Sequence, residues 1–249
     1  MPNTLVTIPL SHFCEKARWA LEAAGVPFRE AGHVPLLHKV AVRRRGGRGT
    51  VPVLALEDGR VLDDSPLIVQ YADAQAPQGR KLLPVDGRAR QEAVELERQF
   101  DLHFAPNVRR FVYFHMLPER AGALSLFRVG VSRAEAAFMA AMYPAVRAVM
   151  RRFMRIDEAG MRRSLDRVWR SLDEVGARLR DGRPYLLGDR FGAADIAFAS
   201  FAAPLVMPAE HPKVRASLSE LPAAFAGEVH LFRQHPAGVF AQRAYRLHR

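Results

Sequence analysis

Three short segments hold residue types that could do chemistry. The first is Ser11-His12-Phe13-Cys14, a hydroxyl and a thiol three residues apart where a strand gives way to a helix. The free N–H groups and the positive dipole end of that helix would stabilise an anion beside Ser11. A serine there also suits a plain helix cap. Cys14 has two readings: a first-turn position and Arg18 one turn on would depress its pKa and activate it, or it is a small buried packing residue. The second segment, Val51-Pro52, opens a strand, where an edge position tolerates proline. The third, Asp64-Ser65-Pro66, offers a carboxylate, a hydroxyl and a backbone N–H at a helix N-terminus, a place that caps the helix and holds anions.

The elements that must position these residues follow from pattern. Residues 4–9 read as a short buried strand ended by Pro9. A helix follows, with Cys14, Ala17, Arg18, Leu21 and Ala24 at helical spacing and Gly25 as its stop. Residues 26–33 are a second strand. An irregular basic segment, 36–49, leads to a third strand over 50–56, and Asp58-Gly59 turns the chain into a fourth at 60–62. The helix opened by Ser65 runs to about Ala74. The order is βαβ, a loop or helix, then ββα, an α/β domain over residues 1–76. Pro77, Gly79, Pro84 and Gly87 mark a linker over 77–87. Residues 88–249 are helical in pattern: long amphipathic stretches at 88–115, 132–155 and 158–180, a buried helix at 192–206, and weaker signals to the C-terminus.

Bulk composition narrows the function classes. The chain has 249 residues, 49% hydrophobic and 25% charged, which suits two globular domains. Its single cysteine excludes an internal disulfide and a multi-cysteine zinc site, and fits a reducing compartment. No signal-peptide pattern or membrane-length apolar run is visible, so the expectation is a cytoplasmic protein without a membrane partner. The formal charge of +11 comes almost entirely from arginines scattered along helices, so a nucleic-acid partner is not expected. The nine histidines lack metal spacing, and there is no P-loop or Gly-x-Gly-x-x-Gly; neither a metal nor a nucleotide cofactor is expected.

Taken in order, SHFCEKARWALEAAGVPF, TVPVL and LDDSPLIVQYAD resemble the cytosolic glutathione transferases, and YLLGDRFGAADIAFASF resembles the buried-helix signature of that family's second domain. The resemblance implies a thioredoxin-like N-terminal domain followed by an all-α helical bundle domain. It implies that Ser11 hydrogen-bonds the sulfur of glutathione, the cosubstrate, and favours the thiolate. Val51-Pro52 resembles the family's cis-proline turn, where Val51 would pair with the cysteinyl backbone. Asp64 and Ser65 would hold the γ-glutamyl group. The glycyl carboxylate would be met from His38, Lys39, Arg45 or Arg48, although the family's usual Asn-Pro before the third strand is replaced by Arg-Gly-Gly-Arg-Gly and its usual Glu or Gln by Asp64.

The resemblance also implies a small hydrophobic electrophile as second substrate, a role in detoxification and a homodimer. His12, Phe104 and Phe111 are the residues expected to meet that electrophile, the last two from an aromatic stripe that equally suits a core. Two other functions remain open on the same residues. Cys14 could form a mixed disulfide with glutathione as a thiol oxidoreductase, or the fold could serve a non-catalytic binding or regulatory protein. In the helical domain, Phe191-Gly192-Ala193-Ala194-Asp195-Ile196 resembles a buried N-capping box and staple, a folding element.

Overall fold

The computed structural model describes residues 2–213 and 218–249. They gather into two compact units, residues 2–83 with 124–146, and residues 84–123 with 147–213 and 218–249.

The first unit is thioredoxin-like. Its strands are β1 (Thr4–Thr7), β2 (Arg29–Gly32), β3 (Val53–Ala55) and β4 (Val61–Leu62), with helices α1 (His12–Ala24), α2 (Leu37–Arg43) and α3 (Ser65–Gln75). The sheet order is β2-β1-β3-β4, with β1 parallel to β2 and both other pairings antiparallel. Strand alternation splits the core between the two faces. Val6 and Val53 pack with Ala41 and Val42 of α2, while α1 and α3 pack on each other and bury Ala17, Ala20, Leu21, Ile68, Val69 and Ala72. Gly25 ends α1 in the left-handed region, at φ 74°, where its N–H reaches Glu22 O.

Some bounds differ from the sequence reading, the third strand being Val53–Ala55 rather than 50–56. The second strand starts three residues late, because Val26 N donates to Leu21 O and closes the end of α1. The basic segment contains α2, which has no side-chain cap and follows Leu36 at φ 73°. Residues 77–83 are tied down: Leu82 N and Leu83 N both donate to the buried Asp73 carboxylate, at 2.8 and 2.9 Å.

The second unit is helical. α4 (Gly87–Gln99) runs through a π-helical stretch at Phe100–Phe104 into α5 (Ala105–Met116). Pro106, which has no N–H to donate, sits just past the widened turns. α6 (Arg120–Phe127), not expected from the sequence, and α7 (Arg133–Met154) belong to this unit only outside residues 124–146, which are part of the first; α8 (Glu158–Arg178) lies wholly in the second. α9 (Ala193–Val206) is apolar all round and buried among α4, α5, α10 (Ala223–Gln234) and α11 (Pro236–His248). Asp195 caps it: its carboxylate accepts from Gly192 N and Leu186 N, each at 2.8 Å. Phe191 lies flat against His248, with centroids 4.0 Å apart. No helix among the described residues is long and apolar enough to cross a membrane.

Candidate functional site

The sheet register decides what meets. Thr7 pairs with Gly32, Val6 with Val53, and Leu54 with Leu62. The chain therefore leaves β1 and β2, enters β3 and leaves β4 at the same end of the sheet. That end carries the Ser11 turn, the 33–36 turn, Val51-Pro52 and Asp64-Ser65. Four segments far apart in sequence converge because the strands are short and their pairing is fixed.

Each segment has a defined local state. Ser11 is the N-cap residue of α1 in extended conformation, and its side chain makes no capping bond to the helix. Its hydroxyl favours the ionised form of the Cys14 thiol, an effect that burial outweighs. The Val51-Pro52 bond is cis, as the resemblance implied. Asp64 caps α3 with its Oδ1 accepting from Ser65 N at 2.8 Å. The Ser65 hydroxyl is fully buried, and among the described residues its oxygen has no hydrogen-bond partner. Such an atom normally costs about 1–3 kcal/mol, so its retention at a helix N-terminus needs a reason.

Cys14 is not an exposed nucleophile. It is wholly buried, and burial pushes its thiol up to about 12, outweighing the lowering by Arg18, Ser11 and the Ile8 backbone. The positive charge of Arg18, expected to activate it, is engaged elsewhere. Arg18 pairs with buried Glu15, and its Nε and Nη2 donate to Glu30 at 3.2 and 2.5 Å. Thr7 Oγ1 donates to the same Glu30 carboxylate at 2.7 Å, and Arg18 Nη2 reaches Pro9 O at 3.4 Å. This buried network ties β1, β2 and α1 to the turn that presents Ser11.

The basic residues divide. Burial lowers the His38 pKa to about 4, so the imidazole is uncharged near neutral pH and is removed from the possible cations. Lys39 is exposed. Arg45 Nη1 donates back to Ala41 O at 3.3 Å. Arg48 pairs through Nε with Asp63 at 2.7 Å, beside Asp64 in the chain.

The residues expected to meet an apolar substrate are buried. His12 is 6% exposed, with its ring against Phe13. Phe104 and Phe111 are both fully buried: Phe104 stacks on Phe198 at 5.3 Å, and Phe111 meets Phe225 and Phe232 edge-on at 5.8 Å. Their rings are core of the helical unit, which corrects the substrate-contact reading. A stripe of aromatics at helical spacing does not say which neighbour covers it.

One residue of this neighbourhood was missed. Glu135, in α7, accepts from Val34 N at 2.9 Å and bonds His33 Nδ1 at 2.7 Å, clasping the turn after β2. Nearby, a Cβ on Gly32 would overlap Gly130 O and come within 2.8 Å of the Pro9 ring. A lone glutamate on an amphipathic helix carries no sequence signal for such a contact. Among the described residues no group of three or more His, Cys, Asp and Glu could hold a metal ion.

Comparison with known proteins gives the site a context. Residues 5–80 match the family model described as glutathione S-transferase, N-terminal domain, and residues 158–226 match glutathione S-transferase, C-terminal domain. No curated protein sequence matches. Among solved structures, poplar glutathione transferase F1 superposes with a TM-score of 0.64 at 17% identity, covering 99% of this chain and 93% of that one. BphK, a bacterial glutathione transferase, gives 0.57 at 20% identity, over 98% and 100%. A glutathione S-transferase from Methylobacillus flagellatus with glutathione bound gives 0.55 at 18% identity, over 96% and 98%.

Proposed function

Since the chain belongs to the glutathione S-transferase family, we propose that it is a glutathione transferase-like enzyme, activating the glutathione thiol for attack on an electrophilic carbon of a small apolar substrate. The observation that carries this reading is the buried, unpartnered Ser65 hydroxyl at the same sheet end as Ser11 and the cis Val51-Pro52 turn. Ser65 and the N-terminus of α3 fit the γ-glutamyl carboxylate, with the Asp64 carboxylate for its ammonium group. The Val51 backbone fits the peptide part, and Lys39 or Arg48 the glycyl carboxylate; His38 fits only as a neutral donor.

In this reading Ser11 donates its hydroxyl hydrogen to the glutathione sulfur, and the dipole of α1 favours the anion. The thiolate forms a carbon–sulfur bond as the electrophile's leaving group departs with its electron pair. The enzyme supplies positioning and a lowered thiol pKa. A cytoplasmic homodimer acting in detoxification completes the proposal.

Burial of Cys14 weighs against the thiol oxidoreductase alternative. The non-catalytic alternative draws support from one occupied group, the Ser65 N–H on Asp64. Ultraviolet titration of bound glutathione separates them. In the enzyme reading the wild type gives a thiolate signal near neutral pH, and Ser11→Ala loses it with conjugation roughly a hundredfold slower. Cys14→Ala keeps conjugation. Glutathione binding without a thiolate signal in the wild type would establish the non-catalytic reading.

A further inference from the structure

The arginines, scattered along the sequence, gather in space where the last turns of α7 meet the start of α8. Arg110 of α5 is fixed to this end of α7: its Nε donates to Met154 O and its Nη1 to Ser164 Oγ, each at 2.8 Å. Its pKa is lowered, by burial first and then by Arg109, Arg167, Arg163 and Arg155 around it. Arg155, Arg163 and Arg167 are exposed, as is Arg152 at the end of α7, and among the described residues none of these four has a carboxylate partner.

The acids nearby do little to offset them. Glu158 pairs with Arg162 at 2.6 Å, and Asp157 Oδ1 accepts from Gly160 N at 2.6 Å as the cap of α8. Asp166 is exposed farther along α8, and no acid stands between Glu135 and Asp157 in the chain. Two features of the arrangement also oppose folding. Arg163 and Arg167, four apart on one helix face, repel each other. Arg155 holds a left-handed backbone at φ 51°, a conformation that suits glycine or asparagine better than a long side chain. Cations kept unneutralised against these costs call for an anionic counterpart.

The same corner exposes apolar side chains. Phe153 is 83% exposed, and Val149, four residues earlier on the same face of α7, is 38% exposed. A protruding ring and an aliphatic neighbour among guanidinium groups have the composition of a helix end that rests on lipid. We propose that this corner docks the helical unit on an anionic bilayer, with Phe153 and Val149 at the headgroup boundary and Arg152, Arg155, Arg163 and Arg167 on the lipid phosphates. Arginine suits phosphate because its planar fork pairs two oxygens. A second copy of the chain fits less well, since symmetric pairing here would set arginine against arginine. A nucleic acid would meet the cations but leave Val149, which offers no stacking face, without a role. The sequence expectation of no membrane partner rests on the lack of a spanning run, which does not bear on a helix end lying at the surface. The site uses none of Ser11, Val51, Asp64 or Ser65, so it does not depend on the glutathione reading.

The test is co-sedimentation of the full-length protein with vesicles of phosphatidylcholine containing about one third phosphatidylglycerol, compared with phosphatidylcholine alone. Binding to the anionic vesicles should be at least about tenfold stronger and should weaken with added salt. Arg163→Gln combined with Arg167→Gln should lower vesicle affinity about tenfold or more. Phe153→Ser, which leaves the charge unchanged, should lower it about tenfold. All three positions are exposed, so the variants should keep the wild-type circular dichroism spectrum and melting temperature. Equal sedimentation with both vesicles, or binding unchanged in either variant, overturns the proposal. So does a dimer that Phe153→Ser dissociates, which would make a second copy the occupant. A labelled single-stranded oligonucleotide that binds more tightly than the vesicles, and is lost with the arginines but not with Phe153, would assign the corner to nucleic acid instead.

Discussion

Ser65 carries an unusual combination: a wholly buried hydroxyl, no partner for its oxygen among the described residues, and a position at the first turn of a helix. A serine retained only for folding would have found an acceptor or been replaced by alanine. The two demands on it therefore oppose each other. Ser65→Ala should raise the melting temperature of the unliganded protein, because removing an unsatisfied buried hydroxyl recovers about 1–3 kcal/mol. The same substitution should weaken glutathione binding about ten- to a hundredfold, since one hydrogen bond to a charged group is lost. Thermal melting and glutathione titration on one preparation read both. A variant that is less stable and binds normally would mean that Ser65 is an ordinary packing residue. Cys14 stands in contrast. Its first-turn position, its distance from Arg18 in sequence and burial as one of two readings were legible, but the diversion of Arg18 onto Glu30 was not, because it depends on β2 lying alongside β1.

At the scale of elements, Asp195 shows how a cap couples folding to pH. Burial pushes its carboxyl up to about 6, against an ordinary 3.8, although Leu186 N, Gly192 N and Arg243 pull the other way. Between about pH 4 and 6 the unfolded chain has lost this proton while the folded chain still holds it. The contribution of Asp195 to stability is therefore greatest below pH 4 and declines as pH rises through 6. Asp195→Asn cannot titrate. Urea unfolding of both proteins across this window should show the stability gap between them narrowing as pH rises; a constant gap would mean that the carboxyl titrates alike in both states. The capping box itself was readable in Gly192-Ala193-Ala194-Asp195, as were the turns at Gly25, Asp58-Gly59 and Asp64-Ser65, since each is set by residues adjacent in sequence. α2 was readable as a loop or helix but without bounds, because a seven-residue helix without a side-chain cap is stabilised by the sheet face it covers rather than by its own residues. The burial of Phe104 and Phe111 was hidden for a related reason: the helices that cover them are distant in sequence.

For the molecule as a whole, the instructive feature is that residues 124–146 belong with residues 1–83. The break in composition at 77–87 suggests that a thioredoxin-like domain could be cut free near Leu83, yet that cut would remove the segment whose Glu135 satisfies the buried Val34 N–H and His33. It would also uncover the close contact of Gly130 with Gly32 and Pro9, beside the turn that presents Ser11. Leaving one buried backbone N–H unpaired costs about 1–3 kcal/mol, before any lost packing, out of a total that is about 5–15 kcal/mol for a typical domain. A fragment ending at Leu83 should therefore unfold at a clearly lower temperature than the full chain, and with less cooperativity. Glu135→Ala in the full chain should reproduce part of that loss, about 1–3 kcal/mol by urea unfolding. If the fragment melted as sharply and as high as the intact protein, the α/β unit would be independent of residues 124–146. The proposed glutathione site would then be complete without Glu135, and the clasp on the turn after β2 would be a contact without consequence for that site.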